Sequence, residues 1–202
     1  MRTITKLAVG GRRPRVEGAR EAEILSATLD LLTELGYDRL TMDAVAARAR
    51  AGKATLYRRW AKKSGLVVDA ILSTKIALQV PDVDTGNLRE DLLAMACGPG
   101  GLVEARSAHV IAAVVTGLHH DPDFAAEFRA RVIGPKAERT SRIFDRARAR
   151  GEITADLDVE LLAPALAGIV LHRDFVLGLP VDRATIERVV DQIILPAATR
   201  RT

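Results

Sequence analysis

The stretch Thr41–Lys63, TMDAVAARARAGKATLYRRWAKK, constrains the fold of this chain more than any other. Thr41 is a good helix N-cap, because its hydroxyl can accept a hydrogen bond from the amide of Asp43 or Ala44. Met42, Val45, Ala46 and Ala49 then give a short helix an apolar side. The small residues Ala44, Ala46, Ala47 and Ala49 let another helix approach it closely. A turn at Arg50–Gly52 follows, and Lys53–Trp60 is long enough for about two more helical turns. Leu56 is the core anchor of that second helix, which leaves Lys53, Thr55, Tyr57, Arg58 and Arg59 around its exposed side. Two short helices at a tight turn, the second basic and aromatic, have the shape of a helix-turn-helix reader of DNA.

Charge is placed to match. Residues 1–65 carry 14 Lys/Arg against 7 Asp/Glu, and residues 66–202 carry 16 against 19, so the formal net charge of +4 conceals a basic head on a slightly acidic body. Such a head suits a polyanion; ordinary basic surface on an Arg-rich protein is the other reading. The body can form a substantial core, since 48% of the 202 residues are hydrophobic. Only 3% are aromatic, so that core is built from Ala, Leu, Val and Ile, a composition that leans to helix. No apolar run approaches the ~18 residues of a membrane span. The N-terminus MRTITKLAVGGRRPR lacks the apolar segment of a signal peptide. Cys97 has no second cysteine to pair with, which fits a reducing cytoplasm.

An all-α architecture follows from reading the chain in order. Residues 1–14, with Gly10, Gly11 and Pro14, have no helical period and are expected to form a flexible basic arm. Its Arg2, Lys6, Arg12 and Arg13, with Arg15 just beyond, can follow a phosphate backbone or enter a minor groove, or can simply be solvated. Helical periodicity runs from Val16 to Leu35 and stops at Gly36. A further apolar helix is predicted from Leu66 to about Leu78, ended by Pro81, and another over Asn87–Cys97. The sequence Gly98-Pro99-Gly100-Gly101 breaks the pattern. Leu102–Leu118 is helical again. Asp121-Pro122 then caps and opens a helix to Arg150, Arg-rich on its outside, with a bend expected near Gly134-Pro135. Asp158 opens a helix to about Val176, in which Pro164 marks either its true start or a kink. Asp182 opens the last one. These final two helices are more apolar than a single-sided surface helix requires. They either close the monomer core or, as we favour, meet their counterparts in a second chain as a four-helix homodimer interface.

The chain resembles the TetR family of bacterial transcriptional regulators over roughly Glu21–Val68. The resemblance is carried by Leu35-Gly36-Tyr37, Leu40-Thr41-Met42 with Val45-Ala46, then Lys53-Ala54-Thr55-Leu56-Tyr57-Arg58-Arg59-Trp60, Lys63 and Leu66. It implies a three-helix DNA-binding domain over 15–65 and a helical effector-binding and dimerisation domain over 66–202. It also implies that Thr41, Tyr57, Arg59 and Lys63 touch phosphates, while Lys53, Ala54, Thr55 and Arg58 enter the major groove of a palindromic operator. Those roles suit the residue types: Lys53 and Arg58 can donate to guanine O6 and N7, and Ala54 or Thr55 can meet a thymine methyl. Trp60 is expected to pack at the helix end. The family pattern fails at the turn, where Arg50-Ala51-Gly52 replaces its usual glycine, apolar residue and Ser or Thr cap. Arg50 is therefore expected to adopt a backbone conformation that glycine accepts more readily, at ~1 kcal/mol. Ala61-Lys62 also stands where Pro-Ser is common.

The resemblance further implies a repressor that a small-molecule effector releases from its operator. Candidate pocket residues are Ile71, Met95, Val110, Val114, Phe124, Phe128 and Leu166, with Arg106, His109 and His172 as polar partners; ordinary packing is the alternative for each. A regulator with no small-molecule effector is a second possibility. A small cytoplasmic enzyme is a third, although the chain carries no nucleophile elbow, P-loop, dinucleotide fingerprint or H-E-x-x-H pattern. The adjacent His119-His120 point apart on a helix and do not form a metal set, and neither metal nor cofactor is expected.

Overall fold

A computed structural model describes residues 15–74, 82–103 and 105–199, with the side chains of 15–17 and 105–108 excepted. The expected N-terminal arm, Leu78 and Pro81 lie outside the described residues. Every regular element described is helical. The head consists of α1 (Arg15–Arg39), α2 (Met42–Arg48) and α3 (Lys53–Arg59), and α4 (Lys63–Ser73) leads out of it. The body continues with α5 (Leu88–Cys97) and α6 (Ala105–His120). Next comes α7, a long helix assembled from Pro122–Phe128, a π-helical turn Arg129–Ile133, and Gly134–Ala149. The short α8 (Val159–Leu162) is followed by α9, Ala165–Leu171 with a π-helical end His172–Val176. The last helix, α10, joins Arg183–Val189, a π-helical turn Val190–Ile194 and Leu195–Thr199.

Local chemistry sets the helix ends. Thr41, Asn87, Asp121, Asp158 and Asp182 each accept a backbone N–H of the first turn of the helix they cap. Gly36 (φ 75°) interrupts α1 where its periodicity ends. Proline accounts for the irregular turns. Pro135 has no N–H for the carbonyl of Arg131, and its ring crowds that carbonyl. The ladder widens just ahead of it, with Gly134 donating to Arg129 O, so the disturbance expected at Gly134-Pro135 takes the form of a π-turn. Pro196 stands in the same relation to Val190–Ile194, where Leu195 donates to Val190 O. Pro164 breaks its helix outright: α8 stops at Leu162 and α9 starts at Ala165.

Two hydrophobic cores form. One packs α1, α2, α3 and α4 with α6 and the first part of α7, around the fully buried Leu32, Val45, Leu56, Leu66, Val114 and Phe124. The other packs α5, the second half of α7 and α8–α10, around Leu92, Phe144, Ile186 and Ile194. The first core therefore does not stop at the end of α3. It continues into the body, so the head is seated on α6 and α7 by shared packing. At the second core's edge the fully buried carboxylate of Asp91 accepts from Thr85, whose amide and hydroxyl donate at 2.6 and 2.7 Å, and meets Arg150 at 3.5 Å.

Candidate nucleic-acid interface

The reading helix is positioned from α1 outwards. Arg48 of α2 donates twice to Glu34 of α1, at 2.9 and 2.8 Å, a fork that fixes both distance and angle. Arg48 holds the Glu34 carboxyl below its ordinary range. At the start of α2 the amide of Ala44 donates to Thr41 Oγ1 at 3.1 Å. At its end Arg50 N–H reaches Ala47 O and Ala51 N–H reaches Ala46 O, at 3.1 and 2.8 Å. That pair of bonds is a Schellman motif, which needs a left-handed residue at the position of Arg50. Arg50 takes it with φ 51°, and it is the only non-glycine with positive φ among the described residues. The same motif ends α7, where Gly151 N–H bonds Arg148 O and Glu152 N–H bonds Ala147 O, and there glycine fills the left-handed position with φ 75°. The Arg50 carbonyl is in turn bonded by the Arg20 guanidinium from α1.

Helix α3 starts at Gly52, whose extended backbone supplies no side-chain cap. Leu56 is fully buried and anchors it. Trp60 is buried at its end, with Nε1 donating to Asp69 Oδ2 at 2.7 Å. That leaves Lys53, Ala54, Thr55, Tyr57, Arg58 and Arg59 exposed on one short helix, with Thr41 exposed beside them. The cations are not equally available. Lys53 pairs with Asp43 at 2.7 Å and Arg59 with Glu21 at 3.1 Å. Arg58 enters no ion pair among the described residues. Exposed pairs of this kind contribute about 0–1 kcal/mol, so a phosphate or base edge can displace them at little cost. Lys63 is placed differently from the others: half-buried, its Nζ donates to Tyr37 O at 2.9 Å and sits 4.1 Å from the Tyr37 ring centre.

Behind the reading face lies a set of contacts that the sequence did not announce. Tyr37 stacks on Phe124 with ring centres 4.0 Å apart, and its hydroxyl donates to Asp121 Oδ2 at 2.7 Å. Asp121 accepts the Phe124 amide on its other oxygen. That amide first, and the Tyr37 hydroxyl second, hold the carboxyl below its ordinary value. Burial, then the Asp121 acceptor, pushes the Tyr37 phenol well above its own. The ring rests on Gly117 of α6, where an added Cβ would lie 2.3 Å from Tyr37 Cδ1. A second join runs from Trp60 through Asp69 to Arg131 in the π-turn of α7, the latter at 2.6 Å. A signal existed for Asp121, whose capping role uses only one of its two oxygens. None existed for Gly117 or Arg131, because neither carries a local pattern.

The candidate pocket residues scatter. Val114, Phe124 and Phe128 are packed inside the first core, as are Ile71 and Val110. They help hold the head on the body. His109 and Val110 border a surface depression against Leu29 and Thr33 of α1. His172 is exposed in the π-helical end of α9. Arg106 belongs to α6, and its side chain lies outside the described residues. Met95 and Leu166 come together in a cavity of about 140 Å³ between α5, α7 and α9. No cluster of His, Cys, Asp and Glu suited to a metal occurs among the described residues. No described helix is long and apolar enough to cross a membrane.

Comparison with known proteins agrees with this geometry. Residues 24–70 match bacterial regulatory proteins of the tetR family, and residues 82–193 match a tetracyclin repressor-like C-terminal domain. The chain is 37% identical over 202 residues to the HTH-type transcriptional regulator Rv1556 of Mycobacterium tuberculosis, covering 98% of each. It is 33% identical over 176 residues to the DNA-binding transcriptional repressor TetR of Mycobacteroides abscessus, covering 87% of this chain and 92% of that one. Among solved structures, the TetR family transcription regulator SCO0332 superposes with a TM-score of 0.64 at 28% identity, over 90% of this chain and 99% of that one.

Proposed function

The chain belongs to the TetR family of bacterial regulators, and from that premise we propose that it represses transcription at a palindromic operator until a small molecule bound in its helical body releases it. It is a DNA-binding transcriptional regulator, and regulators of this family bind operators and dimerise. The observation that carries the assignment is the exposed face of α3, where Lys53, Ala54, Thr55, Tyr57, Arg58 and Arg59 gather on one short helix held from behind by Leu56 and Trp60. Arg58 and Lys53 are proposed as base readers, with Ala54 and Thr55 as apolar contacts. Thr41, Tyr57 and Arg59 fit phosphate positions. Lys63 spends one of its three donors on the Tyr37 carbonyl, so its proposed role is to hold Tyr37 and to offer a further donor to a phosphate.

The proposed division is a basic arm over 1–14, a DNA-binding unit over 15–65, and an effector and dimerisation unit over 66–202, working in the cytoplasm where the operator is. Exposed apolar side chains at Phe175, Val176 and Ile193, with Leu177 and Leu179 in the segment between, support dimerisation through the last two helices. The shared core and the Tyr37–Asp121 and Trp60–Asp69–Arg131 joins support a mechanical route by which a change in the body reorients the head. Two heads must span the ~34–36 Å between successive major grooves, so small rotations suffice to release them. Repression itself is supported by the named activity of the Mycobacteroides abscessus relative. The test is a titration of DNA from upstream of the chain's own gene. Binding saturates at a defined fragment and weakens steeply with salt; equal affinity for unrelated DNA at every salt concentration overturns the operator reading.

A further inference from the structure

The cavity that joins Met95 and Leu166 is built asymmetrically. Its volume is about 140 Å³, close to the roughly 150 Å³ that accommodates a benzene ring in an apolar protein interior. Met95 and Ala96 of α5, Leu102, and Ala163, Leu166 and Ala167 of the α8–α9 region make its walls apolar. Gly100 and Gly101 close one side, and the close approach needs glycine, since a Cβ at Gly101 would lie 2.2 Å from Ala96 O. The polar groups all come from one face of α7: Lys136, Arg139 and Thr140, spaced i, i+3 and i+4 so that they project together.

Two cations and a hydroxyl thus meet an apolar wall, and among the described residues no acidic side chain lines the cavity. Neither Lys136 nor Arg139 takes part in an ion pair among the described residues, whereas Arg142, Arg146, Arg148 and Arg150 further along the same helix all do. Burial, and then the neighbouring Arg139, hold the Lys136 ammonium below its ordinary pKa. Placing like charges side by side in a half-dry recess is unfavourable unless a counter-charge joins them.

We propose that this cavity binds a small organic monoanion, an apolar body the size of a benzene ring or a branched four- or five-carbon chain bearing one carboxylate, with Lys136 and Arg139 as its charge partners. Thr140, whose hydroxyl donates to Lys136 O at 3.0 Å and lies 3.4 Å from Met95 Sδ, borders the carboxylate end. The anion ties the middle of α7 to α5 and α9, about one to three turns beyond Arg131 on the helix that Asp121 caps and Phe124 begins. As a statement about the effector, the proposal rests on the repressor reading given above; as a statement about a site, it does not.

The experiment separates the two. Calorimetric titration of the full-length protein without DNA, using benzoate and isovalerate, is expected to give saturable binding. The neutral isostere benzamide, and benzoate with Lys136→Met or Arg139→Gln, are expected to bind at least about tenfold more weakly, as when a charge-assisted hydrogen bond is lost. In the unsubstituted protein the Met95 methyl resonance shifts with benzoate while that of Met42 in the head stays still, a readout independent of whether the variants fold. Silence from both acids at millimolar concentration, equal affinity for benzamide, or an unmoved Met95 overturns the site. Saturable benzoate binding that leaves operator affinity unchanged upholds the site and counts against effector release.

Discussion

At the scale of single residues, the turn between α2 and α3 carries a strain that the sequence pattern exposes and the backbone realises. Arg50 occupies at φ 51° the position that Gly151 occupies in the equivalent motif of α7. A left-handed L-residue costs about 1–2 kcal/mol, partly offset because glycine loses more backbone freedom on folding. Arg50→Gly is therefore expected to raise unfolding stability by up to about 1 kcal/mol in a denaturant titration, and a lowered midpoint would refute the strain argument. Its carbonyl bond from Arg20 is a backbone contact and survives the change. The same residue scale separates the cations of α3. Lys53 and Arg59 are held by Asp43 and Glu21, while Arg58 forms no ion pair among the described residues. Arg58→Ala is expected to cost about 1–3 kcal/mol in operator binding and to relax selectivity at one base position. A uniform loss on specific and random DNA alike would make Arg58 a phosphate contact instead. The residue types on α3 were legible in sequence because position on a short amphipathic helix fixes exposure. Their pairing was not, because Asp43 and Glu21 come from other helices.

At the scale of elements, the caps were readable and the joins were not. Thr41, Asp121 and Asp182 act on amides two or three residues away, so local sequence suffices to find them. The Tyr37–Asp121 bond links positions 84 apart, and no periodicity reports it. Proline gave notice of a disturbance at Gly134-Pro135 and at Pro164, but whether a helix widens or breaks depends on the packing around it. The Arg-rich face of α7 was read as outside, and within it Lys136 and Arg139 are half-buried beside the α5 loop and α9. The head-to-body join makes a pH prediction. The folded Asp121 carboxyl has a depressed pKa, so its contribution to stability is fully present above its unfolded value of about 3.9 and is lost as pH falls through the lower folded value. Asn does not titrate and its one carbonyl oxygen can still cap α7, but its NH2 then faces Tyr37, whose hydroxyl can no longer donate there. The stability difference between the unsubstituted protein and Asp121→Asn is therefore expected to be largest near neutrality and to shrink as pH drops below about 4. Thermal unfolding across that range reads it, and a constant difference would show that Asp121 contributes nothing through its charge.

At the scale of the whole molecule, two cores in one chain divide the work. The first holds the reading helix rigidly against α6 and α7, and the second leaves apolar side chains on the surface of α9, α10 and the segment between them. Phe175 is 41% exposed, Val176 69% and Ile193 45%, and the proposed dimer contact would cover them. Val176 is the most informative position to change, because so exposed a side chain contributes little to the protomer's own core. Val176→Glu would place a charge, and its symmetry-related copy, inside an isologous contact, where both are desolvated without partners. Sedimentation is expected to show a shift from dimer to monomer with helix content retained. The consequence for DNA is distinct from losing a reading residue. The single head of each monomer keeps its Arg58 and Lys53, so a half-site is still expected to be recognised. The second head no longer binds at the high effective concentration its partner provides, and affinity falls by about 10²–10⁴. The salt dependence changes with it: the slope of log affinity against log salt counts phosphates neutralised, and one head neutralises half as many as two. A halved slope with half-site preference intact therefore distinguishes loss of dimerisation from damage to α3, and an unaltered sedimentation profile would move the interface away from these helices.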